Sequence, residues 1–432
     1  MKKINYDKLN NFFFIFFISV IFLQFLFYKH FPIHDEVSSV ALFTSFKTAF
    51  LLLDGHNHFL TTLLGNVVIF IFNFELMYVR LTSLISFLLS LFLIQKYFND
   101  YIKTFLFLLF YLSVDIIITY NSLFRGYAIS FLIYCFVFFS LNKKNYLENI
   151  KLVYFILSIT TFHNVSTLYI NIPILLVITF ELIDIKKNNN LNLLKIPLVY
   201  FVLPFSILTL FFSLLNGVYI EKIFINFENL SKEVLYIINN FFDILHKGFK
   251  GIFFNEYNNV RLSNSIDSFI YEIKKNILFF SIFIFAFLKS TYFIFFKKKY
   301  NLTDKIVLIF FIFFFLLDRN GPIRIYTGFV SFFIIYILKD LSFLYCNEKI
   351  FKKNLINITI IIVILFQLIN IKFVKIDSLE KQYLYLEEKL INCNFPSQGV
   401  FGEFEKKFIY YIYLEKCKAK PDINSFYKFY KA

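Results

Sequence analysis

The sequence has no glycine-rich phosphate-binding loop and no paired CxxC motif, and only 10 of its 432 residues are glycine. These absences exclude the common cofactor-binding motifs of soluble proteins. Charged residues are few, at 17%, and the long apolar runs contain almost none, with Asp115 as the clearest exception. There is also no internal repeat. Because a transporter needs polar or charged residues inside its spans and some repeat symmetry, these absences disfavour a transporter.

The amino-terminal apolar run, 11–28, is not followed by the small residues of a signal-peptide cleavage site. It is also longer than the apolar region of a signal peptide. We therefore expect residues 10–29 to be retained as a first transmembrane helix. The net charge of +15 does not indicate nucleic-acid binding, because the lysines fall in clusters between apolar runs, as topology signals do.

Apolar residues are what the chain has in abundance. They make up 59% of it, with a mean hydropathy of +0.67, whereas a soluble domain is roughly 45–50% apolar. Several apolar runs reach the roughly 18 residues that span a bilayer. The sequence therefore predicts an all-α polytopic membrane protein.

Lysine clusters alternate along the chain with segments that carry histidine or arginine, and this alternation predicts the topology. Residues 59–72 are short for a span. If they crossed the membrane, every later lysine cluster would lie outside, so we expect them to lie along the interface. This predicts about 11 transmembrane helices, with the second at 79–95, the third at 104–120, the ninth at 306–317 and the last at 355–371. The amino terminus is then cytoplasmic and the carboxyl terminus external. The transmembrane domain is then 1–372, with external loops at 30–78 and 217–275, and 373–432 is a small external segment.

Four short motifs follow one another early in the chain: Asp35-Glu36, Asn57-His58-Phe59-Leu60, Glu75 with Arg80-Leu81, and Phe124-Arg125-Gly126-Tyr127. In this order and spacing they resemble motifs of the GT-C superfamily of glycosyltransferases, whose donors are polyprenyl-phosphate-linked sugars. The nearest branch contains the protein O-mannosyltransferases and the lipid A aminoarabinose transferases. The resemblance covers about residues 34–130 and extends further only through topology. It implies a GT-C-like fold with juxtamembrane helices in the first external loop.

The chain departs from the family pattern at two places. The proline that follows the histidine of the second motif is replaced by Phe59, which leaves the geometry of that loop open. No acidic pair follows the third predicted helix, since Asp115 lies within it and is explained as well by a hydrogen bond between helices. The resemblance therefore leaves a divalent metal ion open, with Asp35 as its expected ligand if one takes part.

The resemblance implies a role for each matched residue. Asp35 is the expected general base, Glu36 would assist or orient it, and His58 and Arg125 would contact the donor phosphate or the sugar. Transfer of a sugar from a lipid phosphate needs a carboxylate to deprotonate the acceptor and cations to offset the phosphate charge. Further substrate contacts are expected from residues on the same predicted side: His34, Tyr127, His163 and Arg324.

Several of these residues also have a simpler structural explanation. Asp35-Glu36 would be ordinary solvated loop charges. Arg125 would be an interfacial anchor whose charged end reaches water. His163-Asn164 would be a polar turn between helices, and Arg324 a loop charge with no bearing on topology.

The predicted function is the transfer of a sugar from a polyprenyl-phosphate donor to a lipid, glycan or protein acceptor in the cell envelope. The location that goes with this reading is a bacterial inner or plasma membrane, with transfer at its external face. A single displacement implies inversion at the anomeric carbon. Membrane lipids are the other expected partners. The alternatives are a transporter of lipid-linked oligosaccharide or polysaccharide, and an O-antigen-type polymerase whose signature would lie in loop 217–275, around Arg261.

The four cysteines divide into two pairs. Cys135 and Cys346 lie at or near predicted helices, whereas Cys393 and Cys417 lie in the carboxyl-terminal segment. Disulfides form in oxidising compartments, so an external segment predicts a Cys393–Cys417 bridge, with two free thiols as the alternative. The tyrosine-rich stretch 410–413 is expected to be a packed surface without a functional role.

Overall fold

The structure is a computed structural model that describes the following residues: 36–37, 39–40, 58–72, 74–98, 101–112, 121, 123–142, 146–164, 167–186, 195–215, 277–297, 301–316, 327–339, 383–388, 390, 393 and 403–419. Helical residues make up 92% of them, and no residue in these ranges forms a β-strand. The prediction of an all-α protein is confirmed for this part of the chain.

The helices follow the predicted order. They are α1 (Phe59–Phe72), α2 (Leu76–Phe98), α3 (Tyr101–Leu112), α4 (Tyr127–Leu141), α5 (Tyr146–His163), α6 (Leu168–Lys186), α7 (Lys195–Pro197, the π-helical turn Leu198–Val202 and Leu203–Leu215), α8 (Ile277–Thr291, continued by the π-helical Tyr292–Lys297), α9 (Leu302–Leu316), α10 (Thr327–Lys339) and α11 (Glu403–Lys416). Residues 36–37, 39–40 and 383–388 are helical as well.

One helix in the described ranges, Tyr78–Phe98, is long and apolar enough to cross a membrane. Further apolar helices are shorter, at 10–17 residues: Phe59–Phe72, Tyr127–Leu141, Lys195–Leu208 and Gly328–Lys339. The number of spans therefore stays a prediction. The first and last predicted spans, 10–29 and 355–371, and the loop 217–275 lie outside the described residues.

Several helix ends meet at one end of the bundle. Lys103 Nζ donates to the Lys339 carbonyl at 3.3 Å, and Lys339 Nζ donates to Asn142 Oδ1. The Lys305–Glu181 ion pair, at 2.6 Å, joins α9 to α6. The sequence predicts these helix ends to be cytoplasmic. The starts of α2 and α4 and the end of α5, which are predicted to be external, lie at the other end of their helices.

Helix α1 is separate from α2 and packs against it. Its outer face exposes large apolar side chains, among them Phe70, which is 84% exposed, and Ile71. An exposed apolar face of this kind suits a helix that lies against lipid, as predicted for residues 59–72.

Aromatic rings from α4, α9 and α10 fill the centre of the bundle. Phe138 meets Phe332 edge to face with ring centroids 4.9 Å apart, and Tyr134 meets Phe329 in the same way at 5.2 Å. Edge-to-face contacts add to the free energy gained by burying the rings. The abundance of phenylalanine thus supplies a continuous core that fixes how α4 and α10 sit together.

Polar side chains inside the helices are bonded locally. Ser86 and Ser90 each donate to the carbonyl four residues earlier, a common arrangement in apolar helices. The Asn171 amide of α6 donates to Thr161 Oγ1 of α5 at 2.8 Å and accepts from the Tyr134 hydroxyl of α4 at 2.9 Å. These groups hold the helices to one another.

The carboxyl-terminal segment is joined to the first part of the chain. Side chains of α11 share one buried apolar cluster with Val37 and Val40, with Phe74, and with Phe124. Cys393 and Cys417 form a disulfide, which is the bridge expected if the carboxyl-terminal segment is external. The described part of the tail therefore lies at the same end of the molecule as the start of α2 and the 123–126 turn.

Candidate active site

The turn at residues 123–126 is the centre of the candidate site. The Arg125 backbone N–H donates to the Leu123 carbonyl at 2.7 Å, and Ser83 Oγ of α2 donates to the same carbonyl at 2.6 Å. Helix α4 begins directly after the turn, where the Ser130 N–H donates to the Gly126 carbonyl at 2.9 Å. The turn is thus fixed between α2 and α4, and its conformation sets where Arg125 points.

A buried ion pair holds the first-loop segment against this turn. Arg80 Nε donates to Glu36 Oε1 at 2.8 Å and Arg80 Nη2 donates to Glu36 Oε2 at 2.5 Å. The Phe124 N–H donates to Glu36 Oε1 at 2.8 Å. Arg80 is 3% exposed and Glu36 is fully buried. Two parallel charge-assisted bonds make a strong and directional pair, so Glu36 connects the first loop, α2 and the turn.

Arg125 makes a second contact to the same segment. Its Nη1 donates to Ser39 Oγ at 2.8 Å, and the side chain is only 3% exposed. A snorkelling arginine would instead keep its charged end in water. Arg125 therefore brings a permanent positive charge into the interior of the site, beside the segment that begins at Glu36.

Two histidines meet on the other side of the turn. The Leu60 N–H donates to His163 Nδ1 at 3.0 Å, so this nitrogen carries a lone pair and the ring is the neutral Nε2–H tautomer. His163 Nε2 lies 3.4 Å from the Gly126 carbonyl and donates to it. The His58 ring lies 5.6 Å from the His163 ring and 5.3 Å from the Tyr127 ring, measured between centroids.

Gly126 permits this close approach. A Cβ at this position would collide with Nε2 of His163 and would lie 2.7 Å from Nδ1 of His58. Only a residue without a side chain lets both imidazoles pack against the turn. The Arg-Gly-Tyr motif of the sequence therefore has a physical basis, because the glycine makes room for the histidines on either side of it.

The start of α1 shows how Phe59 is accommodated where the motif that the chain resembles has a proline. His58 immediately precedes α1, and its carbonyl accepts the Thr62 N–H at 3.0 Å. Phe59 thus occupies the first helical position, where proline is favoured but not required. The first amides of a helix have no hydrogen-bond partner within it, and the Leu60 amide donates to His163 instead.

The structure thus brings together Glu36, His58, Arg125, Tyr127 and His163 from the predicted set. The other three predicted site residues, Asp35, His34 and Arg324, lie outside the described residues. In the described ranges, no group of three or more histidine, cysteine or acidic residues lies close enough to hold a metal ion.

Sequence reasoning gave no role to three residues of this site. Arg80 is a charge inside an apolar helix, a signal that usually marks function or a buried partner. Ser39 carried no signal. Asn121, two residues before the turn, is buried, and neither its Nδ2 nor its Oδ1 has a hydrogen-bond partner among the described residues. A buried amide without a partner among the described residues can bind a polar ligand, so Asn121 is a candidate for that role.

Comparison with models of known protein families, with curated proteins and with solved structures found no match. The resemblance to GT-C glycosyltransferases therefore rests on the four motifs and on the predicted topology.

Proposed function

We propose that the protein is an integral-membrane glycosyltransferase. It takes a sugar from a polyprenyl-phosphate donor and passes it to a cell-envelope acceptor at the external face of the membrane. The acceptor is a lipid, a glycan or a protein. The site is the assembly around the 123–126 turn.

The observation that supports the proposal best is the convergence of residues far apart in sequence. The segment at 36–40, the start of α1, the turn and the end of α5 meet through direct contacts. Three of these segments, the one at 36–40, the start of α1 and the turn, adjoin or carry motifs on which the family resemblance rests. Chance matches to short motifs have no reason to meet in space. In this arrangement the buried guanidinium of Arg125 contacts the segment that Asp35 directly precedes, and the two histidines lie against the turn.

In the proposed reaction, the Asp35 carboxylate accepts a proton from the acceptor hydroxyl or amine. The deprotonated atom attacks the anomeric carbon of the donor sugar while the bond from that carbon to the phosphate oxygen breaks. The electron pair of that bond leaves with the polyprenyl phosphate. Because one displacement occurs, the product has the inverted configuration. Arg125 and His58 offset the negative charge that grows on the phosphate.

Glu36 takes a positioning role in this scheme. Its carboxylate accepts hydrogen bonds from Arg80 Nε, Arg80 Nη2 and the Phe124 N–H. Both carboxylate oxygens therefore already accept hydrogen bonds from other groups of the protein. Glu36 therefore holds the segment that carries Asp35 and fixes the turn that carries Arg125, which is the orienting role expected from the family.

The transporter alternative has less support from the same contacts. A transport path needs polar groups that face a passage through the spans. In the described helices, the hydroxyls of Ser86 and Ser90 donate to their own helix, and the Asn171 amide bonds to neighbouring helices. The polymerase alternative depends on loop 217–275, which lies outside the described residues.

Replacement of Asp35 tests the proposal. We expect Asp35→Asn to abolish transfer of a radiolabelled sugar from short-chain polyprenyl-phosphate donors to envelope membranes, with expression and membrane insertion unchanged. Asp184→Asn is the matched control, because Asp184 is exposed near the other end of the bundle, and it should transfer at the rate of the unmodified protein. Full transfer by Asp35→Asn would refute the assignment of the general base.

A further inference from the structure

The carboxyl-terminal segment carries cross-links of its own. We define the cap as residues 383–388, 390, 393 and 403–419. The Cys393–Cys417 disulfide joins two positions 24 residues apart. The Tyr383 hydroxyl donates to Glu415 Oε2 at 3.0 Å, and Lys416 pairs with Glu387 at 2.5 Å. Two polar contacts therefore hold α11 to residues 383–388, and the disulfide joins Cys417, directly after α11, to Cys393.

The buried face of the cap lies on the candidate site. Phe408, Tyr411 and Leu414 of α11 share an apolar cluster with Phe74 and Phe124. The rings of Phe74 and Tyr411 meet edge to face with centroids 6.1 Å apart. Phe124 is the residue whose backbone N–H binds Glu36. The cap thus packs on the side chain of the residue whose amide anchors the ion pair.

Tyr411 brings the cap into electrostatic contact with the ion pair itself. Its phenol interacts with both Arg80 and Glu36. Burial and the neighbouring Glu415 raise the pKa of Tyr411 well above its usual range, so the phenol is neutral. The hydroxyl is buried and has no hydrogen-bond partner among the described residues. A buried, neutral side chain near an ion pair excludes water, which keeps the local dielectric low and strengthens the attraction between the charges.

We infer that the cap is a positioning element of the active site, fastened by the Cys393–Cys417 disulfide, with Tyr411 as its positioning residue. By packing on Phe74 and on the Phe124 side chain, it holds the turn from which Arg125 projects. The inference deepens the proposed function, since the turn matters for transfer only if Arg125 binds the donor phosphate. The coupling between the cap and the turn does not depend on donor binding, so it can be measured without a substrate.

Hydrogen–deuterium exchange on the full chain in detergent tests the coupling. A dithiol reductant opens the bridge by giving two electrons and two protons, so that two cysteine thiols form and the reductant becomes a cyclic disulfide. We expect exchange in peptides covering 36–40 and 121–127 to become faster by about tenfold or more, because the cross-link no longer restricts the cap. Peptides of α6 should not change.

Two variants complete the experiment. The double replacement Cys393→Ser with Cys417→Ser should reproduce the faster exchange, and the reductant should then have no further effect. Tyr411→Ala should also speed exchange in 121–127, whereas Tyr411→Phe, which keeps the ring packed on Phe74, should restore the slow exchange. Unchanged exchange at 121–127 in both the reduced protein and Tyr411→Ala would overturn the inference.

Transfer assays on the same samples separate the two proposals. If the exchange results are as expected and transfer falls with cap opening, both proposals stand. If the exchange results are as expected but the unmodified protein transfers no sugar, the glycosyltransferase proposal fails and the coupling of cap to turn stands. If the unmodified protein transfers sugar and neither exchange nor transfer responds to reduction, the cap inference alone fails.

Discussion

Breaking the Glu36–Arg80 pair from either side should destabilise the protein far more than removing both charges together. The pair is almost fully buried, with bidentate contacts at 2.8 and 2.5 Å. Removing one partner of such a pair leaves an uncompensated buried charge, which costs about 3–5 kcal/mol. We therefore expect Arg80→Met and Glu36→Gln each to lower the free energy of unfolding by about that amount.

The double variant should recover most of this loss. Glutamine keeps an oxygen that accepts the Phe124 N–H, and methionine fills much of the space of the arginine stem, so no buried charge remains. If the single losses were additive, the double variant would lose about 6–10 kcal/mol. We expect a loss of only about 1–3 kcal/mol, as for an imperfectly satisfied polar site.

Denaturation in mixed detergent micelles, followed by circular dichroism, measures these free energies for all four proteins of the cycle. Serine replacement of Thr291, whose hydroxyl donates within α8 to the Phe287 carbonyl, gives a control helix variant that should change little. Additive losses in the double variant would show that Glu36 and Arg80 do not interact. The account of how the first loop is held to the turn would then be wrong.

Other replacements at the site have distinct expected outcomes. Gly126→Ala should reduce the initial rate of transfer by about 100-fold, because the new Cβ displaces His58 and His163 and misplacement by about 1 Å can cost this much. An unchanged rate would show that the two histidines do not take part in transfer. His163→Leu removes the acceptor of the Leu60 N–H and should lower the free energy of unfolding by about 1–3 kcal/mol, whereas no loss would refute the tautomer assigned to His163. Asn121→Ala should raise KM for the donor with little loss of stability, since the amide already lacks partners among the described residues; an unchanged KM with a large loss of stability would assign it a structural role.

Positions of the helices follow from local properties of the sequence. The predicted helix at 79–95 corresponds to Leu76–Phe98, and the predicted helix at 306–317 corresponds to Leu302–Leu316. The stretch expected to be a separate helix at 59–72 is Phe59–Phe72. Hydropathy and lysine placement determine such segments because each depends on neighbouring residues only.

Contacts within the site could be predicted only in part. The motifs indicated that Glu36, His58 and Arg125 belong together, and the structure brings them together. The pairing of Glu36 with Arg80 joins residues 44 positions apart, and no local pattern in the sequence reveals which cation meets which carboxylate. The packing of Tyr411 on Phe74 depends on how the tail returns to the start of α2, which is a property of the whole fold. Sequence reasoning therefore described the tyrosine-rich stretch only as a packed surface.

The most direct test of the central claim is the fate of a doubly labelled donor. The protein, reconstituted in vesicles with envelope acceptor, receives a short-chain polyprenyl-phosphate sugar labelled in both the lipid and the sugar. The account predicts that sugar label moves to the acceptor with inverted configuration, that an equal amount of labelled polyprenyl phosphate is released, and that Asp35→Asn and Arg125→Ala each stop both events. Intact donor that has only crossed to the opposite leaflet, with no polyprenyl phosphate released, would contradict the account and identify a transporter.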